Sequence, residues 1–349
     1  SGYVHSPTLN EPGHLAAGIS HWRFGRFDLY RVNPPLVRMV AALPVMAAGV
    51  ETDWSSYYDP PRARPAPSIG EELIAANGER SLFLFAIARW ACIPFSWIGA
   101  IVCYLWAGEL YGKGAGVVAA ALWCFSPNIL AHASLITADA PAAALGVAAC
   151  YTFWKWLKTP TWKFTILTGL LLGIAELTKT TLVLFYPMWL LLWLSYRLPD
   201  WATMQLRDWL REATMLLAWA VLAIYIVNAG YGFEGSLTRL GDFRFVSQTL
   251  TGEDEGQAGN CFRETGLAAL PIPFPKNYIL GIDVQRGDFD RYADGSYLRG
   301  EWHESGCWYY YLYALAVKVP LASLGLFALA TIVRCRNRVA NASQSNQTR

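Results

Sequence analysis

Four charged side chains in this sequence of 349 residues gather at the boundary of its apolar runs. Glu11 lies in Asn10-Glu11-Pro12-Gly13-His14, Arg89 about two turns into a long apolar run, Asp139 in Thr137-Ala138-Asp139-Ala140-Pro141, and Lys179 at a break between two apolar runs. A charge at membrane depth needs a partner, and such residues mark functional sites. A carboxylate here could take a proton from an incoming hydroxyl while Arg89 and Lys179 neutralise a phosphate leaving group. That is the electrostatic pattern for moving a group off a lipid phosphate. Plainer roles compete with it. Thr137 could cap a helix with Asp139 in its favoured first turn, and Lys179 could snorkel to the membrane surface.

The elements that must position these residues follow from composition. The chain is 54% apolar and only 15% charged, against about 25% charged in ordinary soluble domains. Its charges fall in short blocks between apolar runs, and a bilayer crossing takes about 20 such residues. The fold class expected is therefore an all-α polytopic membrane protein. Seven transmembrane helices are placed near 82–108, 114–132, 138–157, 163–178, 180–197, 213–229 and 308–333, with an interfacial helix over 36–50. The net charge of +2 gives no reason to expect a nucleic-acid partner, because the cations lie in the connections. A transporter is disfavoured, since no internal repeat pairs two broken helices.

Lys and Arg in short connections set the orientation. Lys113, then Lys158 and Lys163, then Arg197, Arg207 and Arg211, then Arg334, Arg336 and Arg338 fall on one side in strict alternation. That side is expected to be cytoplasmic. The organisation is then a first non-cytoplasmic loop over 1–80, a helical core over 81–229, a long non-cytoplasmic loop over 230–307, a last span over 308–333 and a basic tail over 334–349. All the residues named above then share the non-cytoplasmic face. A chain that starts on that face without a preceding span implies that a first transmembrane helix is missing from this sequence.

The long loop carries a second set of residues. Glu301, His303 and Glu304 invite a metal reading, but no HExxH or paired-cysteine spacing supports one. The Trp308 to Tyr311 run reads as an interfacial aromatic belt, with stacking against a sugar ring as the functional alternative. Four of the seven cysteines lie in apolar spans. Cys261 and Cys307 could pair in an oxidising compartment. Arg286-Gly287-Asp288 is too short to argue from, and the sequons at Asn341 and Asn346 fall on the cytoplasmic side.

The segment "SPTLNEPGHLAAGISHWRFGRFDLYRVNPPLVRMVAALP" resembles the first outer loop of bacterial membrane glycosyltransferases related to the protein O-mannosyltransferases and the lipid A aminoarabinose transferases. "SPNILAHASLITADAPAAAL", "GIAELTKTTLVLFYP" and "GEWHESGCWYYYLYALAVKVPL" are similar to later segments of that family, in the same order. The resemblance implies a GT-C fold and a polyprenyl-phosphate-linked sugar as donor. It also implies a protein, lipid or glycan acceptor, and inverting attack on the outer face of a membrane, such as a bacterial inner membrane. A divalent metal remains possible as a cofactor. By the same resemblance Asp139 corresponds to a second-loop acid, Arg89 and Lys179 hold the donor phosphate, and His14, Glu301 and Trp308 contact substrate. The chain departs from the family at Asn10, where the usual residue is the catalytic Asp. An amide cannot accept a proton at useful pH. Either Glu11 has become the base, or the acceptor needs none, or the chain binds lipid-linked sugar without transferring it.

Overall fold

The computed structural model describes residues 6–201, 203–252, 258–291, 296–303 and 306–347, and it is 68% helical. Three helices fill the first segment: α1 (Glu11–Phe24), α2 (Leu36–Ala47) and α3 (Ala66–Asn77). The central bundle follows with α4 (Arg80–Tyr111), α5 (Lys113–Cys124), α6 (Pro127–His132), α7 (Asp139–Lys158), α8 (Trp162–Glu176), α9 (Phe185–Arg197) and α10 (Leu206–Gly230). Beyond it lie α11 (Gln248–Thr251), α12 (Lys276–Arg291), a hairpin of β1 (Ser296–Leu298) and β2 (Glu301–His303), α13 (Tyr310–Lys318) and α14 (Leu321–Gln347).

Among the described residues three helical stretches are long and apolar enough to cross a membrane: Arg80–Tyr111, Thr180–Asp200 and Leu206–Gly230. A fourth arises if Tyr310–Lys318 and Leu321–Arg336 count as one span, but they meet at 104°. Pro320 explains the bend, because proline pushes the residue before it out of the helical region, and Val319 is extended there (φ −85°, ψ 132°). The expected span over 114–132 is divided in the same way. Pro127 opens a new helix and Ser126 is extended, which leaves α5 with 12 residues. The 15 residues of α8 rise only about 22 Å, short of the roughly 30 Å apolar core of a bilayer.

The first segment, expected as a non-cytoplasmic loop with one interfacial helix, is a packed three-helix layer. In α1 the residues from Gly13 to His21 are all buried. Small residues bring it close to its neighbours. A Cβ on Gly18 would lie 2.1 Å from the Arg38 carbonyl oxygen of α2, and one on Gly70 of α3 would lie 2.5 Å from the Gly13 nitrogen. Gly25 ends α1 in the left-handed conformation that glycine adopts without strain (φ 63°). The Pro34-Pro35 step leads into α2 at the position expected for the interfacial helix. Leu15, Ile19, Val45, Ile69 and Leu73 share one core with Leu84, Phe85 and Cys92 of α4.

A second core lies between α7, α8, α9 and α10, where Phe153 stacks on Trp189 at 4.4 Å. Gly169 and Gly173 let α8 approach α10, since a Cβ on either would meet a backbone carbonyl at 2.8 or 2.7 Å. That spacing is the small-residue pattern of membrane helix pairs.

The 230–307 region is likewise more than a loop. In it α12 lies over the first segment, with Gly281 against the Arg31 carbonyl and the Arg31 Nε donating to Asn277 Oδ1 at 2.8 Å. The Arg-Gly-Asp tripeptide falls inside this helix. Cys261 and Cys307, which could have paired, both stand as free thiols.

Candidate functional site

The site forms where α4 and α7 begin and α8 ends. Glu11, at the first position of α1, is fully buried. Its Oε1 accepts from Arg89 Nε at 2.9 Å and from the Ile136 N–H at 3.2 Å. Its Oε2 accepts from Arg89 Nη2 at 2.6 Å and from the Thr8 N–H at 2.8 Å. One turn further along α1, His14 Nδ1 lies 2.5 Å from the Ile136 carbonyl oxygen. A carbonyl can only accept, so Nδ1 carries the proton and the buried Nε2 keeps a lone pair, with no hydrogen-bond partner. Glu11 and His14 thus grip both polar groups of one peptide residue and pin the 133–138 connection to α1.

Electrostatics agree with this geometry. Burial pushes the Glu11 carboxyl up, but the Arg89 guanidinium and the N–H groups of Thr8 and Ile136 outweigh it and hold the carboxyl below its ordinary range. Burial dominates at His14 and lowers its imidazole to about 4, so the ring is neutral. His21, which accepts from Arg38 Nε at 2.8 Å, is also held neutral by burial and by that guanidinium.

Pinning the connection fixes the start of α7. Asp139 opens that helix and accepts from Lys179 Nζ at 2.9 Å, and the pair remains open, with 54% of the Asp139 side chain and 33% of the Lys179 side chain exposed. Thr137 does not cap α7. The N-cap is Ala138 and makes no side-chain cap, while the Thr137 hydroxyl is buried without a partner.

Asn10 is exposed at the wall of a cavity of about 560 Å³ between the first segment and α12, which Tyr30, Arg31 and Arg64 also line. Arg31 pairs with Asp59 at 2.7 Å, and Arg64 pairs with Asp288. With Asp288 in its wall and both arginines paired to aspartates, the cavity is polar and suits a hydroxyl-rich ligand.

The structure therefore brings Glu11, His14 and Arg89 together around Ile136, three residues before Asp139, which pairs with Lys179, while Asn10 faces a separate cavity. It gives Arg89 a different partner from the expected phosphate: the guanidinium is 2% exposed and committed to Glu11. It gives Glu11 no accessible oxygen. Glu301 and Trp308 stand apart, with Glu301 exposed on β2 and Trp308 88% exposed against Tyr309. Glu304 lies outside the described residues, as does Thr348 of the last sequon. Among the described residues no three His, Cys, Asp or Glu side chains are grouped to hold a metal ion. Ile136 was missed by sequence reasoning, and no signal marks it, because it contributes only backbone.

Residues 81–230, from the first turn of α4 to the end of α10, match the family model described as dolichyl-phosphate-mannose-protein mannosyltransferase. The matched segment supports a membrane glycosyltransferase of the GT-C type. Residues 1–80 and 231–349 lie outside it. No curated protein and no solved structure matches the chain.

Proposed function

We propose that this protein is a membrane glycosyltransferase that moves a sugar from a polyprenyl-phosphate donor to a protein, lipid or glycan hydroxyl on the non-cytoplasmic face. One observation carries the reading. The segment that matches the mannosyltransferase model supplies Arg89, which pairs with Glu11 of the first segment, and the accessible pair of Asp139 and Lys179. In this mechanism the acceptor oxygen attacks the anomeric carbon from the side opposite the phosphate. The bond from carbon to phosphate oxygen breaks with inversion, and the hydroxyl proton passes to a carboxylate. One base suffices, because phosphate leaves without protonation, unlike the two-carboxylate chemistry of glycosidases.

The geometry redistributes the roles expected from sequence. Glu11, sealed against Arg89, acts as a positioning residue. Asp139 is the carboxylate with an accessible face, and we assign it the proton. Lys179 beside it neutralises the donor phosphate, while Asn10 hydrogen-bonds sugar or acceptor. The test is transfer in vesicles charged with a polyprenyl-phosphate sugar. Asp139→Asn abolishes turnover, and an unchanged rate would overturn the assignment.

The exposed amide of Asn10 favours a second reading, a paralogue that binds lipid-linked sugar without transfer. Photolabelling by a polyprenyl-phosphate probe with no turnover in the same vesicles would establish it.

A further inference from the structure

Two arginines are buried among the described residues, and they are satisfied in different ways. Arg89 meets a carboxylate, that of Glu11. Arg38, in the first turn of α2, is 4% exposed, and its hydrogen bonds among the described residues all go to neutral groups. Its Nε donates to His21 Nε2 at 2.8 Å, and its Nη2 donates to the carbonyls of Tyr30 and Asn33, both at 2.7 Å. The guanidinium also lies 4.8 Å from the centroid of the Tyr30 ring, within cation–π range. Burial lowers Arg38 to about 10, so it keeps its charge at neutral pH. A buried charge facing only neutral groups is costly, and the start of a helix is an unfavourable place for a cation. What this arginine holds explains why it is there.

His21 extends the grip. Its Nδ1 lies 2.6 Å from the Arg26 carbonyl oxygen, which can only accept. Nδ1 therefore carries the proton, and Nε2 keeps the lone pair that Arg38 uses. The guanidinium thus holds two carbonyls directly and a third through His21, all in the 25–35 connection between α1 and α2. No helix or strand sets the shape of that connection. Yet Leu29, Tyr30, Arg31 and Val32 line the cavity of about 560 Å³ in succession. Tyr30 is held further by the His14 ring, T-shaped to it at 4.7 Å, and Arg31 by Asn277 of α12 at 2.8 Å. One wall of the cavity is therefore built on buried bonds to Arg38.

We infer that Arg38, with His21 as its relay, is a positioning residue that sets the 29–32 wall of this cavity for the sugar ring of the donor. The inference rests on the transfer reading for that ligand. Both arginines in the cavity wall are already paired with aspartates, so it suits the hydroxyl-rich part of the donor rather than its phosphate. The donor carries a sugar whatever the acceptor is. Lysine cannot take over the role of Arg38, because one ammonium on a flexible stem does not reproduce the fixed fork of Nε and Nη2. Asp139 and Lys179 lie outside the connection.

The test is equilibrium binding to the full chain in nanodiscs, with polyprenyl-phosphate mannose and bare polyprenyl phosphate as the two probes. Arg38→Lys raises the Kd of the mannose-bearing probe about tenfold and leaves that of the bare phosphate within about twofold. His21→Leu does the same. His21→Gln stays near the wild type, because its amide can donate to the Arg26 carbonyl and accept from Arg38. Hydrogen–deuterium exchange reads the wall without a ligand, and amides over 26–33 exchange faster in Arg38→Lys and His21→Leu. Equal weakening of both probes overturns the inference, since a general structural defect would produce it. Unchanged binding of the mannose-bearing probe, or unchanged exchange over 26–33, also overturns it, as does a His21→Gln variant as impaired as His21→Leu. Should Arg38→Lys not fold, the two His21 variants decide by the same measures. Turnover is not used, so a wild type that binds without transferring sinks the transfer step and leaves this inference standing.

Discussion

Two ion pairs stand at one end of this bundle and differ in almost everything but charge. Glu11 and Arg89 are 0% and 2% exposed, doubly bonded and further held by backbone. Asp139 and Lys179 share one 2.9 Å contact and keep 54% and 33% of their side chains open. A buried pair is costly to assemble and more costly to break, so it fixes geometry. An exposed pair contributes little to stability but can exchange its partner for a ligand. The contrast divides the labour, with the sealed pair holding the layer in place and the open pair available for chemistry.

The sharpest way to break the comparison is to halve the sealed pair. Arg89→Met strands the Glu11 carboxylate and costs about 3–5 kcal/mol of stability. Adding Glu11→Leu to it recovers most of that loss, read as Tm in detergent. A full cost that persists in the double variant would show that the pair does more than neutralise itself. Acid tests the clamp next. His14 is neutral in the fold with its imidazole lowered from 6.5 to about 4, so its stabilisation is complete above about pH 6.5 and fades as pH falls toward 4. Glu11, also lowered, contributes above its ordinary 4.5 and fails below it. Tm therefore falls in two stages on acidification, and His14→Gln removes the first while leaving the second.

The open pair predicts the opposite profile. Asp139→Asn changes stability by about 0–1 kcal/mol while transfer is lost. A large fall in Tm would erase the distinction between the two pairs. Smallest on the stability scale is Asn10→Asp at the exposed cavity wall. It leaves Tm nearly unchanged, and it raises transfer if the amide is a lesion in the catalytic set.

Much of the bundle was legible in the chain because apolar length is a local property. The stretches at 82–108, 180–197 and 213–229 became helices able to cross a membrane. Length alone failed where proline intervened, at Pro127 and Pro320, since hydropathy averages over a residue that ends a helix. The first segment misled for another reason. Its α1 is rich in glycine and alanine, and such residues read as weakly apolar although they permit the closest packing. For the site, residue types singled out Arg89 as an intramembrane charge and Glu11, Asp139 and Lys179 as charges at the outer boundary. Their pairing was not legible, because Glu11 and Arg89 are separated by 78 positions and Asp139 and Lys179 by 40.

The sequence by itself determined that this is a helical membrane protein with costly charges kept at chosen points, because hydropathy and charge belong to each residue wherever it lies. Only the tertiary structure decided which charges neutralise one another and which stay open. It sealed Glu11 with Arg89 and gave Ile136 a role through its backbone. Those outcomes depend on burial and on distance between remote segments, and neither exists until the chain has folded.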